Sequence, residues 1–259
     1  MQNRVDNEDP AATIRATLER TRLFASWPGE SLVRLVSGSE LRSYKHGEMV
    51  CHLGDACTGV WVVATGRLYS CRTWPNGRRM IFDFLPPGQM TGFVAVFDNE
   101  PMAFDITADA QSSVVHIPRS LFLDVVLPDA ALLHQVVLML CRRSRIDYEH
   151  AQLMTMHSPR VRIAKVIFYH TRGSADAGVE PNVHFSQDVV GSLLGLTRQT
   201  VNKELAPLIR DGILARGYGN LVVKDVGRLA EIALSEEPLS HAAAFTIQGA
   251  PKPLHIASI

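Results

Sequence analysis

The sequence predicts an α+β protein with an N-terminal β-roll, a long helix and a C-terminal winged helix-turn-helix. Three observations carry that reading: short β-prone runs punctuated by glycine, a glycine-free helical stretch with apolar residues every seven positions, and a helix-turn-helix pattern followed by a hairpin. At 259 residues the chain is long for one domain, since domains run to roughly 100 to 200 residues. With 46% hydrophobic and 20% charged residues it has the material for buried cores and is too mixed for a disordered chain. The expected segments are an N-terminal tail (1–20), a roll (21–128), a long helix (129–157), a winged helix-turn-helix (158–229) and a C-terminal tail (230–259).

The roll comes first. Apolar-periodic residues Ile14, Leu18 and Leu23, then Leu32, Leu35 and Val36, predict helices ahead of it. Strands are expected at Glu48–Leu53, Gly59–Ala64, Gly66–Arg72, Arg79–Phe84 and Gln111–Ile117. Glycines 47, 54, 66, 77, 88 and 92 fall at the turns, and Asn76-Gly77 is the clearest hairpin signal. Pro118-Arg119-Ser120-Leu121-Phe122 opens another helix beyond the roll.

The long helix is expected from about Pro128 to His157. Leu132, Met139, Ile146 and Leu153 recur at heptad spacing, and the positions four residues on are Val136, Arg143, His150 and His157. The resulting seam is Leu132, Val136, Met139, Arg143, Ile146, His150 and Leu153, a dimerisation face with polar interruptions. Two readings of those interruptions stay open. Arg143 and His150 face solvent while Leu133, Val137 and Leu140 pack on the roll, or one of the two faces a ligand pocket or partner helix.

A helix is expected from Ser158 to about Thr171, broken by Gly173–Gly178. Phe185 to Leu205 then reads as a helix-turn-helix. Ser186 suits the first N-cap, Gly191 the close helix approach, Gly195 the turn and Thr197 the second N-cap. Val190, Leu194, Leu196, Val201 and Leu205 form the joining apolar set, which leaves Arg198, Gln199, Asn202 and Lys203 outward. Arginine and lysine suit guanine edges and glutamine suits adenine, while hydroxyls such as those of Ser186, Thr197 and Thr200 fix backbone register. Ile213–Arg216 and Leu221–Lys224 flank Gly217-Tyr218-Gly219-Asn220, a hairpin in the place of a wing.

Charge agrees with this placement. The whole chain carries 26 basic and 26 acidic residues, but residues 158–228 hold 10 basic against 6 acidic, while 1–157 hold 15 against 17 and 229–259 hold 1 against 3. A locally positive block suits phosphate binding.

In this order the roll, the long helix and Leu196-Thr197-Arg198-Gln199-Thr200-Val201-Asn202-Lys203 resemble the CRP/FNR family of bacterial transcription regulators. The resemblance covers about residues 20–230, with Gly54-Asp55 and Pro87-Gly88 matching in the roll. It implies a cyclic-nucleotide-binding-like jelly roll as sensor and a homodimer. It also implies sequence-specific binding to palindromic double-stranded DNA through Arg198, Gln199 and Lys203, and RNA polymerase as a partner. Glu204 stands where the family commonly has an aliphatic residue, and Pro207 removes a helical bond and is expected to tilt or end the recognition helix early.

The larger departure is in the sensor. Cyclic-nucleotide members carry Gly-Glu and, about ten residues on, Arg-Ser or Arg-Ala, whereas here stand Gly92-Phe93 and Pro101-Met102-Ala103. Without that carboxylate and guanidinium a buried cyclic phosphate lacks its hydrogen bonds and charge partner, so control by cyclic AMP through these contacts is not expected. Phe82, Phe84, Met90, Phe93, Met102 and Phe104 either fill the roll core or line an apolar effector cavity with Arg143 as an anion anchor. No cofactor is expected beyond an unidentified small-molecule effector.

Other classes find less support. Residues 1–50 contain no cysteine for the N-terminal cluster of iron-sulfur sensors; Cys51-His52, Cys57 and His46 form no strong metal pattern, Cys71 gives no haem signal, and no metal is expected. No phosphate-loop, zinc-protease or nucleophile-elbow motif points to an enzyme. No signal-peptide core or spanning segment is apparent, which with four scattered cysteines points to the cytoplasm and away from a membrane. The alternative function is a ligand-binding or interaction module with a vestigial helix-turn-helix.

Overall fold

In the computed structural model the described residues are 9–176, 182–183, 186–217 and 221–235. Residue contacts divide the chain into two compact units, one comprising residues up to Arg72 and Phe84–Arg142, the other Thr73–Asp83 and the residues from Arg143 onward. This division falls inside the expected roll and inside the expected long helix.

In the first unit α1 (Pro10–Arg20) starts on a proline after Asp9, whose carboxylate accepts the Ala11 amide at 3.1 Å. It buries Ile14, Thr17 and Leu18, and α2 (Gly29–Gly38) buries Leu32 and Leu35. The strands are β1 (Glu40–Tyr44), β2 (Met49–Cys51), β3 (Gly59–Thr65), β4 (Leu68–Thr73), β5 (Arg79–Leu85) and β6 (Met90–Thr91). After the short α3 (Phe93–Asp98) come β7 (Asp105–Ala108), β8 (Ser112–Pro118) and α4 (Arg119–Val126). They form two four-stranded sheets, ordered β1-β8-β3-β6 and β2-β7-β4-β5.

The side-chain alternation of β3 organises this unit. Val60, Val62 and Ala64 join a core with α1, α2 and α4, while Trp61 and Val63 join a second core with Leu68, Leu85, Met102, Ile106 and Val114. Both faces of the strand are buried, so it reads as a continuous apolar run. Gly92 sits where this packing is tightest. Its φ is +89°, and a Cβ there would lie 2.5 Å from the Gly59 carbonyl oxygen and 2.7 Å from the Trp61 ring.

The long helix α5 (Ala130–Met156) begins at Asp129, whose carboxylate accepts the Ala131 amide at 2.8 Å. Then follow α6 (Pro159–Asp176), β9 (Asn182–Val183), α7 (Gln187–Leu194), α8 (Arg198–Arg210), β10 (Leu214–Arg216), β11 (Leu221–Val223) and α9 (Val226–Leu234). Strands β10, β11 and β9 form a small antiparallel sheet, and α9 packs on α6 through buried Leu229 and Ala233.

Three expectations are corrected. Helix α6 continues past Gly173 to Asp176, because one glycine costs only about 1 kcal/mol and does not by itself end a helix. Helix α8 continues through Pro207 to Arg210, with the Asp211 amide closing on the Pro207 carbonyl at 2.9 Å. The seam is the third, at three of its seven positions. Leu132 and Val136 are 1% exposed within the first unit's core, and Leu153 is 3% exposed. Those three positions face their own chain, while Met139, Arg143, Ile146 and His150 are half-buried.

No single described helix is long and apolar enough to cross a membrane. Phe185, the wing tip 218–220 and the tail from 236 lie outside the described residues.

Candidate nucleic-acid interface

The helix-turn-helix is assembled by local chemistry. Ser186 Oγ accepts the Val189 amide at 3.2 Å and starts α7, which ends on Gly195 at φ +60°. Thr197 Oγ1 accepts the Thr200 amide at 3.1 Å and starts α8. A Cβ on Gly191 would lie 2.9 Å from the Leu196 carbonyl oxygen, so glycine is what lets the two helices meet. Val190, Leu194, Val201 and Leu205 are at most 1% exposed and join them, with Leu196 half-buried.

The outer face of α8 is what this packing leaves open. Arg198, Gln199 and Lys203 are exposed, Asn202 and Thr200 half-buried, and Thr197 exposed at the cap. Ser186 and Thr197 use their hydroxyls on the caps, and the Thr197 and Thr200 hydroxyls bond each other at 2.9 Å. Arg198 Nε lies 3.8 Å from Asp188 of α7, both side chains largely exposed. Such a pair is worth at most about 1 kcal/mol and leaves the guanidinium free to turn outward.

Glu204, the unusual residue of this helix, is explained by its partner. Its carboxylate accepts from Arg160 Nε of α6 at 3.2 Å, so an ion pair fastens α8 to α6. A charged residue on the apolar side of the recognition helix was the signal, but its partner lies 44 residues earlier.

The six apolar residues expected around an effector are distributed among different surroundings. Met90 and Phe93 pack against the core shared with α1, α2 and α4, whereas Met102, 5% exposed, and Phe104 belong with the second core. Phe84 packs with Tyr69 at 6.0 Å between centroids, with the Arg67 guanidinium 4.8 Å above its ring. Phe82 is half-buried on β5.

Arg143 does not stand as an unmatched anion anchor. It pairs with Asp83 and, at 3.3 Å, with Asp147. Burial opposes its charge, but the two carboxylates outweigh burial and hold its pKa above the ordinary guanidinium value. Beside it, burial lowers the His150 pKa despite Asp147 and Asp83.

The cysteine and histidine candidates have separate environments. Burial pushes the Cys51 thiol up to about 12 and raises that of Cys57, so neither presents a thiolate at neutral pH. His46 Nδ1 lies 2.7 Å from the Asp109 carbonyl oxygen. Among the described residues no group of three or more histidine, cysteine or acidic side chains is arranged to hold a metal.

Comparison with known proteins agrees with both halves of the architecture. A cyclic nucleotide-binding domain model matches residues 41–129 and a Crp-like helix-turn-helix domain model matches residues 161–232. The chain is 24% identical to the cyclic AMP receptor protein of Thermus thermophilus over 82% of this chain and 96% of that one. It is 26% identical to the transcriptional activator protein FnrL of Cereibacter sphaeroides, over 79% and 84%. Among solved structures it resembles a CRP/FNR-family transcriptional regulator from Eubacterium rectale (TM-score 0.67, 18% identity, 83% and 99% covered). It also resembles FixK2 from Bradyrhizobium japonicum (TM-score 0.62, 23% identity, 75% and 96% covered).

A roll matched by a cyclic nucleotide-binding domain model, followed by a capped Crp-like helix-turn-helix, defines the class of DNA-binding transcription regulators. Within that class the chain belongs to the CRP/FNR family.

Proposed function

We propose that the protein is a homodimeric, sequence-specific regulator that reads palindromic DNA through Arg198, Gln199 and Lys203 and answers to an effector other than cyclic AMP. The observation that carries this is the face of α8, where three base-reading side chains stand exposed on a helix fixed by Thr197 and Gly191. Two-fold symmetry places half-sites one helical turn apart, about 34 Å. The protein acts in the cytoplasm with RNA polymerase and catalyses no reaction.

The partner copy docks on the outer face of α5. His134, Leu138, Cys141, Arg145, Tyr148 and Gln152 are spaced alternately by four and three residues, and all but His134, Arg145 and Gln152 are apolar or weakly polar. Leu138 is 39% and Tyr148 68% exposed, with Val137 beside them at 47%. This stripe adds exposed surface beside the half-buried seam residues Met139 and Ile146, where Leu132, Val136 and Leu153 are taken up by their own chain.

The test is selection of bound sequences from a random DNA library at stated salt, with the purified protein and with Arg198→Ala. A palindrome recovered by the first and not by the second is the expected outcome. Removing one bidentate pair weakens discrimination by about 1 to 3 kcal/mol. Failure of the first protein to enrich any sequence, with and without a screened effector library, would leave the vestigial-motif alternative.

A further inference from the structure

The compact unit that contains the helix-turn-helix also contains residues Thr73–Asp83, the connection between β4 and β5 with most of β5. Its tip is a tight turn. The Trp74 amide donates to the Arg78 carbonyl at 2.8 Å, Asn76 Oδ1 accepts the Arg78 amide at 3.0 Å, and Gly77 takes φ +77°. Every residue from Thr73 to Arg79 is exposed.

Arg78 Nη2 donates to the Gly195 carbonyl oxygen at 2.9 Å. Gly195 is the turn residue two positions before the Thr197 cap, so the tip stands beside the N-terminal end of α8. That is the end of a recognition helix whose residues meet base edges, and the phosphates of the groove wall flank it. From Thr73 to Phe82 the segment carries Arg78 and Arg79 and no carboxylate. Asp83, at its base, is held by Arg143.

We propose that this hairpin is a second DNA-binding element, with Arg78 and Arg79 engaging backbone phosphates beside the bases read by α8. A guanidinium has five N–H donors, and the bond to Gly195 uses one, fixing the group at the turn while others remain for phosphate oxygens. Phosphate bonds of this kind set register and affinity without reading sequence, and each makes binding more dependent on salt. The proposal rests on α8 being the reading helix.

The experiment uses the full chain on its selected DNA site. Binding is measured across a salt series for the unaltered protein, Arg79→Ala, Arg78→Ala/Arg79→Ala and Arg198→Ala, with circular dichroism to verify folding. Arg79→Ala leaves the bond from Arg78 to Gly195 in place, and circular dichroism reports whether losing the contacts of Arg79 itself alters the fold. The expected result is an unchanged sequence preference with a shallower salt dependence, by about 0.9 in log–log slope for each phosphate no longer neutralised. A shorter protected stretch of DNA backbone accompanies it. Unchanged slope and protection would overturn the proposal, and if transcription alone fell, the hairpin would be assigned to a protein partner. Undiminished specificity in Arg198→Ala would instead overturn the reading of α8, an outcome separate from the hairpin variants.

Discussion

Residues 92–104 and 186–205 both depend on left-handed glycines and short helices, Gly92 before α3 and Gly195 after α7, yet they place their side chains in opposite ways. In the second segment the polar residues face outward and the apolar ones join two helices. In the first, the positions where cyclic-nucleotide members carry a carboxylate and a guanidinium hold Phe93 and Met102, each packed into a core. The two segments thus share a backbone device and differ in what their side chains face: geometry rests on glycine and packing, while the chemistry each surface offers rests on a few side chains.

The largest loss is expected at Gly92. Gly92→Ala combines a left-handed backbone with a Cβ 2.5 Å from the Gly59 oxygen, and is expected to destabilise the roll by about 2 to 5 kcal/mol. Urea unfolding followed by circular dichroism measures this; a loss below about 1 kcal/mol would mean that the backbone there is not constrained as described.

Cyclic AMP tests the other side. A ligand at about 100 times its Kd adds about 2.7 kcal/mol of stability. At about 1 mM cyclic AMP the urea midpoint is expected not to move, and a clear rise would return the roll to nucleotide sensing by other contacts.

His116 ties the stability of the roll to pH. It is 4% exposed, its Nε2 lies 3.2 Å from Thr58 Oγ1, and burial, followed by the nearby Arg42 charge, lowers its pKa below the ordinary 6.5 while Glu40 opposes the shift. With a folded value below the unfolded one, the unfolded chain takes up the proton first. Its contribution to stability is therefore fully present above pH 6.5 and is lost as pH falls from there through the folded value. Stability measured from pH 7.5 down to about 5 should fall more steeply in the unaltered protein than in His116→Gln; parallel curves would count against the assignment.

The smallest effect belongs to the exposed pair Arg198 and Asp188. Asp188→Asn should change stability by less than about 0.5 kcal/mol and modestly tighten DNA binding, by removing a carboxylate beside Arg198. Weaker binding would show that Asp188 orients Arg198 for its base.

How far the sequence foretold these regions follows the range of the forces involved. Ser186, Gly191, Gly195 and Thr197 act over a few residues, so the helix-turn-helix was legible in its caps and turn. The short strands β1, β6, β7 and β9, and the helix α3, had no such local signature, because their order comes from pairing with distant segments or, for α3, from packing on β3 and α4. Heptad spacing located an apolar stripe on α5 but could not say what covers it, and Leu132 and Val136 turned out to be covered by their own chain. Arg143 was singled out as a charge needing an explanation, but Asp83 lies 60 residues away and no pattern joins them.

The cross-strand pair Trp61 and His116 has an optical consequence. Their rings lie 5.3 Å apart by centroid at 42°, on adjacent strands in direct register. Protonated imidazole withdraws an electron from an excited indole at such range, whereas the neutral ring does so weakly. The emission of Trp61 is therefore expected to dim as His116 takes up its proton, an optical signal of the charge in the roll's core.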